Sequence, residues 1–220
     1  MTTLSSTTPQ WADGVSVVTM TRTDDLPAWL HAEDRQRAAF LPPARRSEWL
    51  LGRAALQQAV ATWCSEQGDC LGGVEAAMVR IRPGALGEPR LATLHARPIA
   101  VSLAHGGELV VGVATGGENR VGVDVEPEHR AVARLITALL PEERVLVDGG
   151  TPLLHVLMAK EAAAKAWQIG LGGALQRWPV ESGPHGSLSV SGPDRGPLAV
   201  EMRVTRGHVI AICLARRQLH

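Results

Sequence analysis

Two periods divide the chain. Short alternating or wholly apolar runs predict strands at residues 15–20, 77–82, 99–103, 108–115, 120–125, 187–191, 198–204 and 208–214. Longer stretches with apolar residues three and four apart predict helices. The first is 26–40, with Pro27 at an early helical position and Pro42-Pro43 ending it. The second is 45–67, where Trp49, Leu50, Leu56, Val60 and Trp63 form a stripe and Gly68 lies beyond the end. The others are 131–140, 141–147 and 153–168, the last closed by Gly170. Gly116-Gly117 reads as the turn of a hairpin joining 108–115 to 120–125.

Each half therefore holds helices followed by about three strands, with a divide near residues 115–120 and no sequence repeat strong enough to mark a duplication. The expected organisation is a flexible tail at 1–12, an N-terminal half at 13–116 and a C-terminal half at 117–220. The fold class is mixed α/β (α+β).

Composition narrows the function. The 220 residues are 45% hydrophobic, enough for a real core, and carry no net charge, so nothing global draws the protein to nucleic acid or to an anionic membrane. Any anion binding must be local. Six Trp, one Phe and no Tyr argue against a base-stacking binder of single strands. No apolar run approaches the roughly 18 residues of a membrane span, and the Ser- and Thr-rich start lacks the apolar stretch of a secretory signal. Cys64, Cys70 and Cys213 have no spacing that implies a metal knuckle or a disulfide framework, which fits a reducing, cytoplasmic setting.

Lysine use is the sharpest local signal. Of 22 basic residues only Lys160 and Lys165 are lysines, and both lie in Lys160-Glu161-Ala162-Ala163-Ala164-Lys165. Lysine is a compact charge on a flexible stem, suited to one phosphate oxygen in a tight space, whereas arginine is a planar fork. The same string is also a good helix former with a favourable i, i+4 pair between Glu161 and Lys165, so a plain helix surface is the competing reading.

A second signal is Gly122-Val123-Asp124-Val125-Glu126-Pro127, in which period two sets Asp124 and Glu126 on one face of a strand. Acids that close repel unless they share a cation, and an all-oxygen set suits Mg²⁺. The alternative is a strand edge entering a turn with both acids solvated. A helix across the end of this strand would add Glu161, making a site of three acids and two lysines. His105 ends another strand, where an imidazole N–H can meet a phosphate. Arg35, Arg37, Arg45, Arg46 and Arg53 read most simply as a solvated basic face, Arg46 and Arg53 being seven apart on one helix side.

Taken together, the Gly122-to-Glu126 segment, the Lys160-to-Lys165 segment, the strand ending Ser102-Leu103-Ala104-His105, and Arg46 with Leu51-Gly52-Arg53 resemble the Sfp-type 4′-phosphopantetheinyl transferases. The resemblance spans roughly residues 33–178. It implies two pseudo-twofold related α/β halves in one monomeric chain, with coenzyme A in the cleft between them. It also implies Mg²⁺ on Asp124, Glu126 and Glu161, with Lys165 on the pyrophosphate of coenzyme A. Lys160 joins the cofactor-binding set. His105 would meet the 3′-phosphate, helped by Arg46 and Arg53. The implied reaction is attack of a serine hydroxyl of an apo acyl or peptidyl carrier protein on the β-phosphoryl group. The implied catalytic set is Asp124, Glu161 and Lys165. The chain departs from the pattern at Ala104, where the family has Ser, at Leu157, where it has Trp, and at Glu88, where a basic residue is common; Arg90 is the candidate substitute for that cation. A coenzyme A binder without turnover and a Mg²⁺-dependent nucleotide phosphohydrolase are the alternative functions.

Overall fold

The computed structural model describes residues 11, 14–23, 25–67, 75–85, 87–92 and 98–215. The expected tail, Trp11 apart, lies outside them, as do Gly68 and Cys70. The chain divides into two compact units, Met1–Glu118 and Asn119–His220, and each is α+β.

In unit 1, β1 (Val15–Thr21), β4 (Ile99–Gly106) and β5 (Leu109–Gly116) form an antiparallel sheet in the order β1-β5-β4, and β2 (Ile81–Pro83) pairs with β3 (Pro89–Leu91) in a small ladder. Helix α1 (Ala32–Ala39) precedes the long α2 (Pro43–Gln67). Leu56, Val60 and Trp63 of α2 bury against Val79, Ile81, Val101 and Ala114, while Leu50, Leu51 and Ala54 pack with Met20, Leu30 and Val110. Close approach is possible because Gly112 has no side chain: a Cβ there would lie 2.6 Å from the carbonyl carbon of Ala55.

In unit 2, β6 (Arg120–Pro127), β7 (Val180–Ser182), β8 (Leu188–Gly192), β9 (Arg195–Thr205) and β10 (His208–Ala215) form one antiparallel sheet in the order β6-β10-β9-β8-β7. Helices α3 (Pro141–Asp148) and α4 (Leu153–Trp167) follow β6 in the chain. α4 is rich in alanine, and its Ala159, Ala162, Ala163 and Ala166 are completely buried. Gly122 of β6 admits it, since a Cβ there would run into the Ala162 carbonyl. The two units share one plan: a first strand, then helices, then strands of which the last lies beside the first.

Several expectations change. Residues 108–115 and 120–125 form strands but no hairpin, because β5 pairs with β1 and β4 while β6 pairs with β10; the tight turn is instead Gly107-Glu108, between β4 and β5. The helix expected at 26–40 starts only at Ala32. The Pro27 carbonyl is taken by the Leu30 N–H and by Arg35 Nη2, and His31 Nδ1 caps the helix by accepting from the Glu33 N–H. Pro42-Pro43 separates two helices, with Pro43 opening α2, where its missing N–H costs nothing. Residues 133–138 form a 3₁₀ helix, and 76–78, overlapping the start of the expected strand 77–82, form another.

Candidate functional site

The acidic face of unit 2 is built by β6 and α4. Val121, Val123 and Val125 are buried, so Gly122, Asp124 and Glu126 occupy the opposite face of the strand. Gly122 is where α4 crosses, and this seats the C-terminal half of α4 next to Asp124. Lys165 Nζ donates to Asp124 Oδ1 at 3.0 Å and to the Val123 carbonyl at 3.0 Å, and stands 4.0 Å from Glu161 Oε1. The helix-surface pair between Glu161 and Lys165 therefore exists, but the shorter contact is to the strand.

Burial pushes the Asp124 carboxyl up, against the pull of Lys165. Glu161 is also raised, by burial and by repulsion from Asp124, with Lys165 opposing. Two carboxyls with elevated proton affinity thus flank one ammonium. Glu126 lies beside them and is bonded by Arg130.

Lys160 is elsewhere, and this corrects its assignment to phosphate. It is fully buried, donating at 2.7 Å to Glu143 of α3 and at 2.9 Å to the Leu175 carbonyl. Glu143 Oε1 also accepts the Val180 N–H and Oε2 the Leu140 N–H. No donor of Lys160 faces a solvent-borne ligand. Its pairing ties α3, α4 and β7 together.

The candidates in unit 1 do not converge. Arg46 and Arg53 share a helix side, as their spacing requires, and both reach α1, Arg46 from an exposed position and Arg53 from a buried one. Arg46 Nε donates to the Ala38 carbonyl at 3.2 Å and Nη2 to Ala39 at 3.1 Å, closing the end of α1. Arg53 is 8% exposed, stacks over Trp49 at 4.6 Å and has Nε 3.9 Å from Asp34 Oδ1. Arg35 donates to the carbonyls of Leu30 and Pro27, and Arg37 to Glu33. Arg35, Arg37, Arg45 and Arg46 are nonetheless exposed, as a solvated basic face requires, and only Arg53 of the five is buried. Arg90 donates to Glu88 at 2.7 Å, so the candidate substitute for the missing cation is already engaged by the acid that stands in that cation's place. His105 on β4 faces α2 at Gly52, whose Cβ would come within 3.0 Å of its Nε2.

Sequence reasoning missed Asp34, Gln57, Arg130 and Glu143. Asp34 and Gln57 are buried and bonded at 3.0 Å. Glu143 had a signal, since Leu140-Pro141-Glu142-Glu143 puts Pro at the first helical position and Glu at the third, where it caps.

The three acids fit a hard divalent ion in kind, being all carboxylates, two of which already meet side-chain cations. They are not gathered as a cage: among the described residues no group of three or more His, Cys, Asp or Glu could hold a metal ion. Lys165 and Arg130 hold oxygens that such an ion would need. Among the same residues no helix is long and apolar enough to cross a membrane.

No family profile matches the chain, and no curated protein matches it. Among solved structures, a holo-(acyl-carrier-protein) synthase from Bacillus anthracis str. Ames, in complex with CoA (3′,5′-ADP), is similar over 47% of this chain and 96% of its own, at 19% identity and a TM-score of 0.38.

Proposed function

We propose that this protein transfers the 4′-phosphopantetheine arm of coenzyme A to a serine of an apo acyl or peptidyl carrier protein. The observation that carries the reading is the meeting of two sequence motifs at one point. Lys165 of α4 bonds Asp124 of β6 with Glu161 4.0 Å away, and Glu126 follows two residues along the same strand face.

In this reading Asp124, Glu126 and Glu161 would hold Mg²⁺, which would supply charge neutralisation at the pyrophosphate. Lys165, released from Asp124, contacts that pyrophosphate. Glu161, whose carboxyl is raised by burial and by Asp124, takes the serine proton directly or through a water. The serine oxygen bonds to the β-phosphorus as the bond from that phosphorus to the bridging oxygen breaks, and adenosine 3′,5′-bisphosphate leaves with the oxygen. Positioning and charge neutralisation supply most of the catalysis in such a transfer.

The test is the intact mass of apo acyl and apo peptidyl carrier proteins after incubation with this protein, coenzyme A and Mg²⁺. The expected result is a gain of one phosphopantetheine that is lost with chelator and in Asp124→Ala. Coenzyme A bound tightly without a gain on either carrier would replace the reading by a binder without turnover. Release of bisphosphate in the absence of a carrier would replace it by a phosphohydrolase.

A further inference from the structure

Lys160 and Glu143 are two buried charges of unit 2 to which the transfer reading gives no task. The Lys160 ammonium lies 2.7 Å from each oxygen of the Glu143 carboxylate and 2.9 Å from the Leu175 carbonyl, so its donors are all spent. The carboxylate is equally saturated, since it also accepts the N–H groups of Leu140 and Val180 at 3.0 and 2.9 Å. A pair satisfied in this way holds in one geometry only.

That geometry joins α4 to the far edge of its sheet. β7, whose Val180 N–H Glu143 holds, is one edge strand, and β6 is the other. At β6 the helix meets Gly122, where a Cβ would lie 2.4 Å from the Ala166 nitrogen. The residues that α4 buries include Ala159, Ala162, Ala163 and Ala166, all at 0% exposure. Methyl groups interlock less than branched side chains, so packing alone specifies the angle of α4 about its axis only weakly. Side-chain tips stand about 5–6 Å from a helix axis, so a turn of about 10° carries each through about 1 Å. A shift of that size breaks the 2.7 Å contact of Lys160 with Glu143, and at a reacting group it can cost about a hundred-fold in rate. Glu161 follows Lys160 directly and Lys165 lies further along the same helix, so what fixes Lys160 also fixes where these two stand against Asp124.

We propose that Lys160 and Glu143 are positioning residues: their buried ion pair sets the angle and register of α4 on the sheet, and through it the placing of Glu161 and Lys165 against Asp124. Buried pairs are known to be kept for the sake of one arrangement rather than for stability. The consequence for transfer rests on the function proposed above, whereas the consequence for the seat of the helix does not.

The test compares wild type with three variants. Glu143→Asp keeps the pair and draws it in by one methylene. The double variant Lys160→Met with Glu143→Gln removes the pin and strands no charge. Val190→Ala opens the same core from β8. The first readout is the nuclear Overhauser cross-peak between the Gly122 Hα and the Ala166 N–H, which reports the seat of α4 without coenzyme A or carrier. The second is kcat and KM for phosphopantetheine transfer. Glu143→Asp and the double variant should weaken the cross-peak and lower kcat about ten- to a hundred-fold, with the carrier KM within about two-fold of wild type. Val190→Ala should lose thermal stability and keep both the cross-peak and kcat. An unchanged cross-peak or an unchanged kcat in the two pair variants overturns the inference. An equal fall of kcat in Val190→Ala also overturns it, by showing general loosening. Should Glu143→Asp not fold, the double variant decides. If the wild-type protein transfers nothing, the proposed function fails and the cross-peak alone decides the inference.

Discussion

Lys160 donates to Glu143 at 2.7 Å inside unit 2, with 0% and 1% of the two side chains exposed. Lys165, five residues further along α4, bonds Asp124 instead. At about 100° per residue the two lysines point roughly 140° apart around the helix, so one motif serves two purposes, a pin through the interior and a charge at the site.

The pin makes the first prediction. Removing one member strands the other as a buried charge, at a cost of about 3–5 kcal/mol. Lys160→Met and Glu143→Leu should each lower the unfolding free energy by that much in urea titrations. The double variant should recover only part, because the N–H groups of Leu140 and Val180 lose their acceptor, at about 1–3 kcal/mol for each group left unsatisfied. A loss below about 1 kcal/mol in the single variants would contradict the assignment, since that is the scale of an exposed pair.

The helix–sheet contacts make the second. Gly112 and Gly122 are the points where α2 and α4 touch their sheets, and in both cases an added methyl meets helix backbone, which has no rotamer to escape into. Gly112→Ala and Gly122→Ala should each cost about 1–3 kcal/mol. Only Gly122→Ala, which moves α4 relative to Asp124, should also weaken phosphopantetheine transfer. Thermal unfolding and a transfer assay on both variants check this, and equal activity in the two would detach the Gly122 contact from the site.

These contacts show what was legible in the sequence. Strand and helix identity was readable along most of the chain because the periods are clean, as in the stripe Leu56, Val60 and Trp63. Pairing was not. Gly116-Gly117 looks like a hairpin turn, but the strand bonded to β5 on one side is β1, far away in sequence, and local spacing carries no record of that. Helix phase held a clue that went unused: the neighbours of Lys160 at three and four residues are Val156, Leu157, Ala163 and Ala164, all apolar, whereas Lys165 has Glu161 and Gln168. The acids Asp34 and Glu143 look like any surface acid until their partners, Arg53, Gln57 and Lys160, arrive by tertiary folding.

Asp34 supplies a pH dependence. Burial raises its carboxyl above the ordinary 3.8, with Arg53 and Gln57 opposing. Between 3.8 and the raised value the folded protein holds more of the proton than the unfolded chain does. Unfolding therefore releases protons, and stability must fall as pH rises through that window. Asp34→Asn should be less stable overall, since Arg53 loses its acid, yet should lack this fall. Urea midpoints taken from about pH 3 to about pH 7 give the slope; an identical slope in both proteins would assign it to another group.

The base is tested at Glu161. The carboxyl is competent as a base only when ionised, so transfer should rise with pH as Glu161 loses its proton, and Glu161→Gln should lose the rise. The assay is the pH profile of transfer in a Glu161→Gln protein shown to retain Mg²⁺. A profile unchanged in shape would remove Glu161 from the proton step.

Carrier recognition is the last consequence. Of the basic residues in unit 1, Arg53 is buried against Asp34, and the exposed Arg35 and Arg46 spend donors on the carbonyls of Pro27, Leu30, Ala38 and Ala39. The segment after β6 offers a better match. Leu135 and Val145 are 41% and 68% exposed, and Arg134 and Arg144 are exposed beside them in sequence. Apolar anchors flanked by basic residues suit a carrier domain that is acidic around its serine. Val145→Glu and Arg134→Glu should raise the carrier KM about ten-fold, in line with a hot-spot loss of more than 1 kcal/mol, while the affinity for coenzyme A stays unchanged. Arg35→Glu should leave both constants alone. A carrier KM that responds to Arg35→Glu and not to Val145→Glu would place the docking face on unit 1 instead.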